Sequence, residues 1–171
     1  VGSEMCIRDR FTEETFIINK RNPRISDKES VRIKPREKTK LNWDDKLTLE
    51  FNGDAPLCQS ISIEPADPSV ITVFLCGNST VVDQDNEPWA SWGQMIPHFF
   101  GTDVCIANYA ESGESANTFI GAKRLAKALS QIKKGDYLFM EFGHNDQKQK
   151  GPGKGAYYSF MTLSLIHISE P

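Results

Sequence analysis

The sequence predicts an α/β domain built on a parallel sheet, preceded by a region of β-strands that we interpret as the tail of a β-sandwich domain. The first prediction rests on apolar runs of strand length that alternate with segments of helical spacing after residue 69. The second rests on the period-two alternation of apolar and polar residues before that point. We therefore expect two parts, residues 11–68 and residues 69–162.

The first part contains four strand-like segments. Three of them alternate apolar and polar residues, Val31–Pro35, Leu47–Phe51 and Ser60–Glu64, and Thr15–Asn19 is apolar in its middle. So few strands do not form a stable domain alone, and we therefore expect the beginning of the sandwich to be lost. Lysines and arginines are frequent over residues 20–40, either as the solvated face of these strands or as a surface that attracts an acidic polysaccharide.

The second part contains three predicted strands and two predicted helices in alternation. These elements are the strands Val70–Leu75, Val104–Asn108 and Tyr137–Phe142 and the helices at about Ala90–Phe100 and Asn117–Lys134. This order predicts a parallel sheet with right-handed crossovers. The second helix is the clearer one, because Lys133-Lys134-Gly135 forms a favourable carboxyl terminus for a helix.

The two ends of the chain do not share this pattern. One choice of codons for residues 1–10, taken on the opposite DNA strand, encodes residues 163–171. The ends of a natural protein have no reason to be reverse complements, and this DNA resembles a transposase adaptor used to prepare sequencing libraries. We therefore expect residues 1–10 and 163–171 to be adaptor-derived and exclude them from the reasoning about the fold.

The composition is that of a globular protein without a signal for a nucleic-acid or membrane partner. The formal net charge of −3 does not favour binding to nucleic acid or to an anionic membrane, and no apolar run approaches the roughly 18 residues of a membrane span. The sequence has no CxxC pair and no His/Cys cluster, so we expect neither a metal nor a cofactor. Cys76 and Cys105 lie in strand runs, where we expect them to be small buried hydrophobic residues.

A residue suited to acyl transfer follows each predicted strand: Ser79 the first, Gly113 the second and Asn145 the third. The carboxyl ends of parallel strands meet at one edge of a sheet, so we expect these residues to lie close together. A serine hydroxyl can act as a nucleophile, and its backbone N–H, a glycine N–H and an asparagine amide can stabilise the oxyanion of a tetrahedral intermediate. Each residue taken singly is also typical of a turn or a helix cap. The three together indicate a serine esterase.

The motif words around these residues point to a family. The pattern is not the nucleophile elbow G-x-S-x-G, because Val81 stands in place of its second glycine. Instead Gly77-Asn-Ser-Thr80, Gly113 and Gly143-His-Asn-Asp146 resemble the SGNH (GDSL-type) hydrolase superfamily over about Ile71–Thr162. Further words resemble its rhamnogalacturonan acetylesterase branch: Trp92-Gly93-Gln94, Asn108–Ser115 and Phe142–Asp146.

The resemblance implies a fold, a reaction and roles for particular residues. It implies a three-layer α/β/α, flavodoxin-like domain that removes acetyl groups from pectic rhamnogalacturonan. In this family pattern Ser79 is the nucleophile, and its N–H forms the oxyanion hole together with Gly113 and Asn145. Supporting positions fall on Asn78, His144 and Asp146. An acetylated polysaccharide substrate implies a secreted or periplasmic protein.

The sequence departs from the family pattern at two points. Asn78 stands where the family usually has Asp, which keeps a hydrogen-bonding side chain and removes a charge. The catalytic Asp-x-x-His of the family does not follow Gly143 here, and neither His98 nor His144 is a suitable substitute for the base. We therefore expect the chain as it stands to be nearly inactive and its parent protein to be an esterase.

Two other functions stay open from the sequence. The protein could be an SGNH esterase that acts on another acyl substrate, such as acetylxylan or a lipid. It could also be a carbohydrate-binding protein in which the β region binds the ligand and the hydrolase domain is inactive. The sequence carries no indication of the oligomeric state.

Overall fold

A computed structural model describes residues 13–158 and residue 161, and its sheet consists of three parallel strands. These are β1 (Ile71–Gly77), β2 (Val104–Asn108) and β3 (Tyr137–Glu141), in the order β2-β1-β3. Val73 of β1 lies opposite Ile106 of β2 and Tyr137 of β3, so β1 is the central strand. The predicted α/β unit with a parallel sheet is confirmed. The ends expected to be adaptor-derived, residues 1–10 and 163–171, lie outside the described residues.

The central strand β1 is buried on both of its faces, because successive side chains of a strand point to opposite sides of the sheet. Phe74 and Cys76 belong to one core cluster. Val73 and Leu75 belong to a second cluster. The first cluster also contains Ala107, Phe119, Leu125 and Ala128, and the second contains Val81, Val82 and Ala110. The apolar run that predicted this strand is therefore explained by burial on both sides.

The two cysteines of the strands are buried, as predicted, whereas Cys58 is exposed. Burial raises the pKa of the Cys76 thiol to about 12. Burial also raises the pKa of the Cys105 thiol, to about 11. Both thiols therefore stay protonated at neutral pH and pack as small apolar side chains.

The connections between the strands contain short helices. Between β1 and β2 lie α1 (Trp92–Met95) and the 3-10 helix Ile96–Phe99, and between β2 and β3 lie α2 (Ala116–Gly121) and α3 (Arg124–Leu129). The predicted helix Ala90–Phe100 is thus one α-helical turn extended by a 3-10 turn. None of the helices in the described part of the chain is long and apolar enough to cross a membrane.

The prediction of a single helix over Asn117–Lys134 is wrong. The helix is interrupted between α2 and α3, and α3 ends at Leu129. At the break Lys123 has a left-handed φ of 62°. Arg32 occupies two carbonyl groups there: its backbone N–H donates to Ala122 O at 2.9 Å, and its guanidinium donates to Gly121 O at 3.3 Å. A tertiary contact thus satisfies polar groups that a continuous helix would have paired internally.

The first part of the chain does not form the predicted strands. Over residues 13–69, strand pairing is limited to one isolated antiparallel bridge between Arg24 and Ser30. The strand predictions and the β-sandwich tail are therefore not confirmed at Thr15–Asn19, Val31–Pro35, Leu47–Phe51 and Ser60–Glu64. An alternating segment becomes a strand only where a second strand completes its hydrogen-bond ladder, and residues 45–69 are all exposed.

Residues 21–46, which we call the N-terminal segment, pack instead on the α/β unit. Val31 and Trp43 are buried in the same core cluster as Phe74. The Trp43 ring lies 5.5 Å from the ring of Tyr109, which directly follows β2. The apolar residues that suggested one face of a strand therefore cover the side of the sheet that also contacts α3.

Charged residues also connect the N-terminal segment to the α/β unit. Arg124 of α3 is completely buried and forms a salt bridge with the buried Glu37. Arg21 donates a hydrogen bond to the carbonyl oxygen of Asn108, at the end of β2. Arg21 also lies 3.9 Å from the carboxylate of Asp83. Both the apolar and the charged contacts cross the boundary predicted at residue 68.

Candidate active site

The turn after β1 presents Ser79, which is half-buried. The side-chain oxygen of Asn78 accepts the N–H of Thr80 at 3.1 Å, and the Thr80 hydroxyl lies 3.0 Å from the same oxygen. The backbone oxygen of Asn78 accepts the N–H of Val81 at 3.1 Å. The Gln84 amide donates to the carbonyl oxygen of Ser79 at 2.8 Å. These bonds fix the backbone on both sides of the predicted nucleophile.

Two glycines allow this turn to pack closely against its surroundings. A Cβ at Gly77 would lie 2.5 Å from Cγ2 of Val81. A Cβ at Gly93, in α1, would lie 2.1 Å from the carbonyl oxygen of Val81. Neither distance is compatible with a side chain, so space requires glycine at both positions. This packing explains the glycines of two motif words, Gly77-Asn-Ser-Thr80 and Trp92-Gly93-Gln94.

The loop after β2 lies directly beside the Ser79 turn. The N–H of Glu111 donates to the carbonyl oxygen of Gly77 at 3.2 Å, which continues the contact between the two strands beyond their ends. Gly113 is exposed and has a φ of +79°, a conformation that favours glycine. The predicted second donor therefore lies on a loop that is hydrogen-bonded to the predicted nucleophile turn.

The loop after β3 is attached to the loop after β2. The completely buried carboxylate of Asp146 accepts the N–H groups of Ala116 and Gly143, each at 2.9 Å. The Asn145 amide donates to the carbonyl oxygen of Glu114 at 3.0 Å. A carboxamide NH₂ carries two hydrogens, so one of them remains for another acceptor.

The three predicted residues thus lie on loops that hydrogen bonds connect in series. In the described part of the chain, the backbone N–H groups of Ser79 and Gly113 have no acceptor. Free N–H groups at neighbouring strand ends, together with the second hydrogen of Asn145, are the donors that an oxyanion requires. The roles assigned to these residues from the sequence stay predictions.

Glu141, the last residue of β3, is a site residue that the sequence reasoning misses. Its carboxylate accepts hydrogen bonds from the hydroxyl of Thr80 and, at 2.5 Å, from the indole N–H of Trp92. It therefore links the Ser79 turn to both β3 and α1. A usable signal exists in the sequence, because Glu141 is the charged residue within the otherwise apolar run Tyr137–Phe142.

A cleft of about 500 Å³ opens beside Ser79. Trp89 is 71% exposed and Trp92 is 37% exposed, so both indole rings are accessible there. The other lining residues are Thr80, Gln84, Ala90, Ser91 and Met95. Aromatic walls with a few polar groups are typical of a site for a small organic molecule.

Among the residues that the structure describes, no histidine is in place to act as a general base for Ser79. His98 is exposed on the 3-10 helix after α1, and the exposed His144 has its Nε2 2.9 Å from Nζ of Lys148. Over residues 13–158, neither histidine is hydrogen-bonded to Ser79, and no group of three His, Cys, Asp or Glu side chains could hold a metal ion. The described residues thus offer a hydroxyl and hydrogen-bond donors for acyl transfer without the base.

Comparison with known proteins finds esterases among the relatives of this chain. The chain is 42% identical over 96 residues to the rhamnogalacturonan acetylesterase RhgT of Bacillus subtilis, which covers 54% of this chain and 41% of RhgT. It is 33% identical over 81 residues to YesY of the same organism, named as a probable rhamnogalacturonan acetylesterase, covering 47% of this chain and 37% of YesY. The crystal structure of Bacillus subtilis YxiM matches with 32% identity and a TM-score of 0.42, covering 52% of this chain and 25% of YxiM.

Two further facts define the extent of this similarity. No protein-family model matches the chain. The chain spans about two fifths of the length of RhgT and YesY. Over about half of its own length, this chain is similar in sequence to proteins named as rhamnogalacturonan acetylesterases, which is the resemblance that its motif words predict.

Proposed function

We propose that this chain is part of a secreted or periplasmic serine esterase that removes acetyl groups from pectic rhamnogalacturonan. The observation that carries the proposal is the hydrogen-bonded series of three loops, which brings the Ser79 turn, the Gly113 loop and the Asn145 loop to one edge of the sheet. The names of RhgT and YesY support the substrate class. The sheet is covered on both faces, which supports the three-layer α/β/α arrangement of the hydrolase.

In the proposed reaction the Ser79 hydroxyl oxygen attacks the carbonyl carbon of an acetyl ester, and its proton passes to a general base. The negative charge on the carbonyl oxygen is stabilised by the N–H groups of Ser79 and Gly113 and by the Asn145 amide. The bond to the sugar oxygen then breaks, and that oxygen leaves as a hydroxyl with the proton from the base. Water hydrolyses the acetyl-serine to acetate and regenerates Ser79.

The base is the part of this mechanism that we assign to the rest of the parent protein. Neither histidine in the described range bonds Ser79, and the chain spans only part of its relatives. Without a base, a serine hydrolase retains only the contributions of binding and of the oxyanion hole. We expect the 171-residue chain alone to be slower than the complete protein by about 10³-fold or more.

The cleft beside Ser79 supports a sugar substrate. The exposed indole of Trp89 offers a flat apolar face for one side of a sugar ring, while Gln84 supplies a polar side chain. An extended lipid chain would require a longer apolar channel than these residues line. The cleft therefore favours an acetylated sugar over a lipid ester.

The test is an esterase assay on the complete protein expressed from its full reading frame. Acetylated rhamnogalacturonan, acetylxylan and 4-nitrophenyl acetate are compared for the wild type, Ser79→Ala and the control Ser60→Ala, whose serine is exposed. We expect the wild type to release acetate fastest from rhamnogalacturonan and only Ser79→Ala to lose activity. Faster release of acetate from acetylxylan would change the proposed substrate from rhamnogalacturonan to acetylxylan. Binding to the polymers without any acetate release would favour a carbohydrate-binding protein.

A further inference from the structure

We infer that Lys34 and Arg36, in the N-terminal segment, are positioning residues for the oxyanion hole. They orient the peptide group between Ser112 and Gly113, so that the N–H of Gly113 faces the reacting acetyl group. This inference rests on the proposed function, because Gly113 is an oxyanion donor only if Ser79 is the nucleophile. It gives the N-terminal segment a role in the reaction, although this segment lies far from the motif words in the sequence.

The first argument is the double occupation of one carbonyl oxygen. Nζ of Lys34 donates to the carbonyl oxygen of Ser112 at 2.8 Å. The guanidinium of Arg36 donates to the same oxygen. A carbonyl oxygen has two lone pairs, and here two cationic donors occupy them. Bonds from charged donors are about twice as strong as neutral ones, so this carbonyl direction is well determined.

The second argument is the geometry of the peptide bond. A trans peptide group is planar, and its C=O and N–H point in opposite directions. Because the Ser112 carbonyl points toward Lys34 and Arg36, the N–H of Gly113 points away from the N-terminal segment. This N–H has no acceptor in the described part of the chain, which leaves it free for a substrate oxygen. The two cations also withdraw electrons from the peptide group and make its N–H a stronger donor.

The third argument is that the two cations are themselves fixed by buried acids on either side of Gly113. Arg36 Nε donates to the Glu111 carboxylate at 2.7 Å. Nζ of Lys34 lies 2.5 Å from the carboxylate of Glu114. Both acidic side chains are only 2% exposed. A buried carboxylate without a partner is unfavourable, so the acids hold the cations beside the Ser112 carbonyl.

Contacts with the core fix the position of Lys34 and Arg36. The Lys34 N–H donates to the Glu37 carboxylate at 2.8 Å, and Glu37 pairs with the fully buried Arg124 of α3. The backbone around Lys34 is therefore attached to a helix that packs on the central strand. A loop carrying glycine at a positive φ has intrinsic conformational freedom, and this attachment removes it.

The test uses the complete protein with Lys34→Gln, Arg36→Gln and the double variant. Each is compared with Lys38→Gln, which alters an exposed lysine of Pro35–Thr39, the 3-10 helix that contains Arg36. We expect the double variant to lower kcat on 4-nitrophenyl acetate by about 10- to 100-fold with KM within about twofold, because a misdirected donor is lost in the transition state only. Lys34→Arg and Arg36→Lys, which keep a charged donor, are expected to restore most of kcat.

A second readout does not depend on activity. The carbonyl carbon of Ser112 loses two charged hydrogen-bond donors in the double variant, so we expect its ¹³C chemical shift, measured by NMR in the 171-residue chain, to move upfield there and to keep the wild-type value in Lys38→Gln. If the double variant fails to fold, each single variant still removes one donor from the Ser112 carbonyl and is expected to lower kcat by about 3- to 10-fold.

The outcomes separate the inference from the proposed function. Unchanged kcat in folded single and double variants, with Ser79→Ala inactive, would overturn the inference and leave the esterase assignment intact. An active Ser79→Ala would overturn the proposed function and, with it, the catalytic part of the inference. An unchanged ¹³C shift of the Ser112 carbonyl in the double variant would overturn the orienting role of Lys34 and Arg36 in either case.

Discussion

The carboxylate of Asp146 accepts the backbone N–H of Ala116, the first residue of α2, across 2.9 Å, although the two residues are 30 positions apart in the chain. The same carboxylate accepts the N–H of Gly143 with its other oxygen. A single buried side chain thus sets the distance between the loop that carries Asn145 and the helix that follows Gly113.

We predict that Asp146→Asn destabilises the chain by about 1–3 kcal/mol, because an amide offers one acceptor oxygen where two N–H groups need one each. The free energy of unfolding from urea denaturation measures the change. Asp27→Asn alters an exposed surface pair with Arg24 and is expected to change it by at most about 0.5 kcal/mol. Equal effects of the two substitutions would contradict the role of Asp146.

A second prediction concerns the packing of α1 against the Ser79 turn. Gly93→Ala places a methyl group 2.1 Å from the carbonyl oxygen of Val81, and we expect it to destabilise the chain by about 1–3 kcal/mol. Gly121→Ala is the matched control, since nothing lies within 4 Å of the added carbon at the end of α2. Its expected effect is a stabilisation of up to about 1 kcal/mol. Thermal unfolding of the two variants measures both effects. A Gly93→Ala variant as stable as the wild type would contradict the packing argument.

A third prediction concerns acid. Burial raises the pKa of Glu37, but hydrogen bonds from Arg124 and from the Lys34 N–H outweigh it and hold the pKa below its ordinary value of 4.5. A carboxyl group with a depressed pKa in the folded state contributes stability above pH 4.5 that is lost as the pH falls through the folded-state pKa. We therefore expect the N-terminal segment to lose its attachment at acid pH.

The variant Glu37→Gln tests this. At pH 6 we expect it to be less stable than the wild type by about 3–5 kcal/mol, because Arg124 then lies buried without a counter-charge. Below pH 4 the difference should shrink, since the wild-type carboxyl becomes neutral as well. Urea denaturation at several pH values measures the stability difference at pH 6 and its decrease below pH 4. A difference that does not vary with pH would show that Glu37 is not the titrating group.

A fourth prediction concerns the cleft and rests on the proposed function. In the complete protein, Trp89→Ala is expected to raise KM for acetylated rhamnogalacturonan by about 2- to 10-fold, which corresponds to the loss of one aromatic contact. Activity on 4-nitrophenyl acetate should not change, because this small ester does not need a sugar platform. Phe99→Ala removes an aromatic ring that is 78% exposed outside the cleft lining and should leave both values unaltered. An equal effect of the two substitutions on KM would show that the cleft does not bind the substrate.

The sheet and the positions of Ser79, Gly113 and Asn145 could be predicted because their signals are local. Each strand is a short apolar run, and each of the three residues lies two to five positions after the end of one. The parallel order then follows from the connections between strands. What decides these features lies within a few neighbouring residues of the chain.

The break between α2 and α3 could not be predicted in the same way. Ala122 and Lys123 both favour helices, and the carbonyl groups freed at the break are paired by Arg32, about ninety residues earlier in the chain. Contacts so distant in sequence leave no periodic trace. The same holds for Lys34 and Arg36, whose partner is the Ser112 carbonyl.

The N-terminal segment misled the sequence reasoning for a related reason. Period-two alternation indicates one buried and one wet face, and Val31 does face a core. An extended segment lying across helices produces the same alternation as a strand in a sheet. Only the presence or absence of a neighbouring strand separates the two, and no property of the segment itself reports it.

The exposed stretch of residues 45–69 separates the N-terminal segment from the sheet in sequence but not in packing. A single proteolytic nick there would yield two polypeptides that still share one core, with Val31 and Trp43 on one piece and Phe74 and Tyr109 on the other. Such pieces are suited to fragment complementation. The second polypeptide would carry Ser79 and the Gly113 loop, and the first would supply Lys34 and Arg36, which orient that loop.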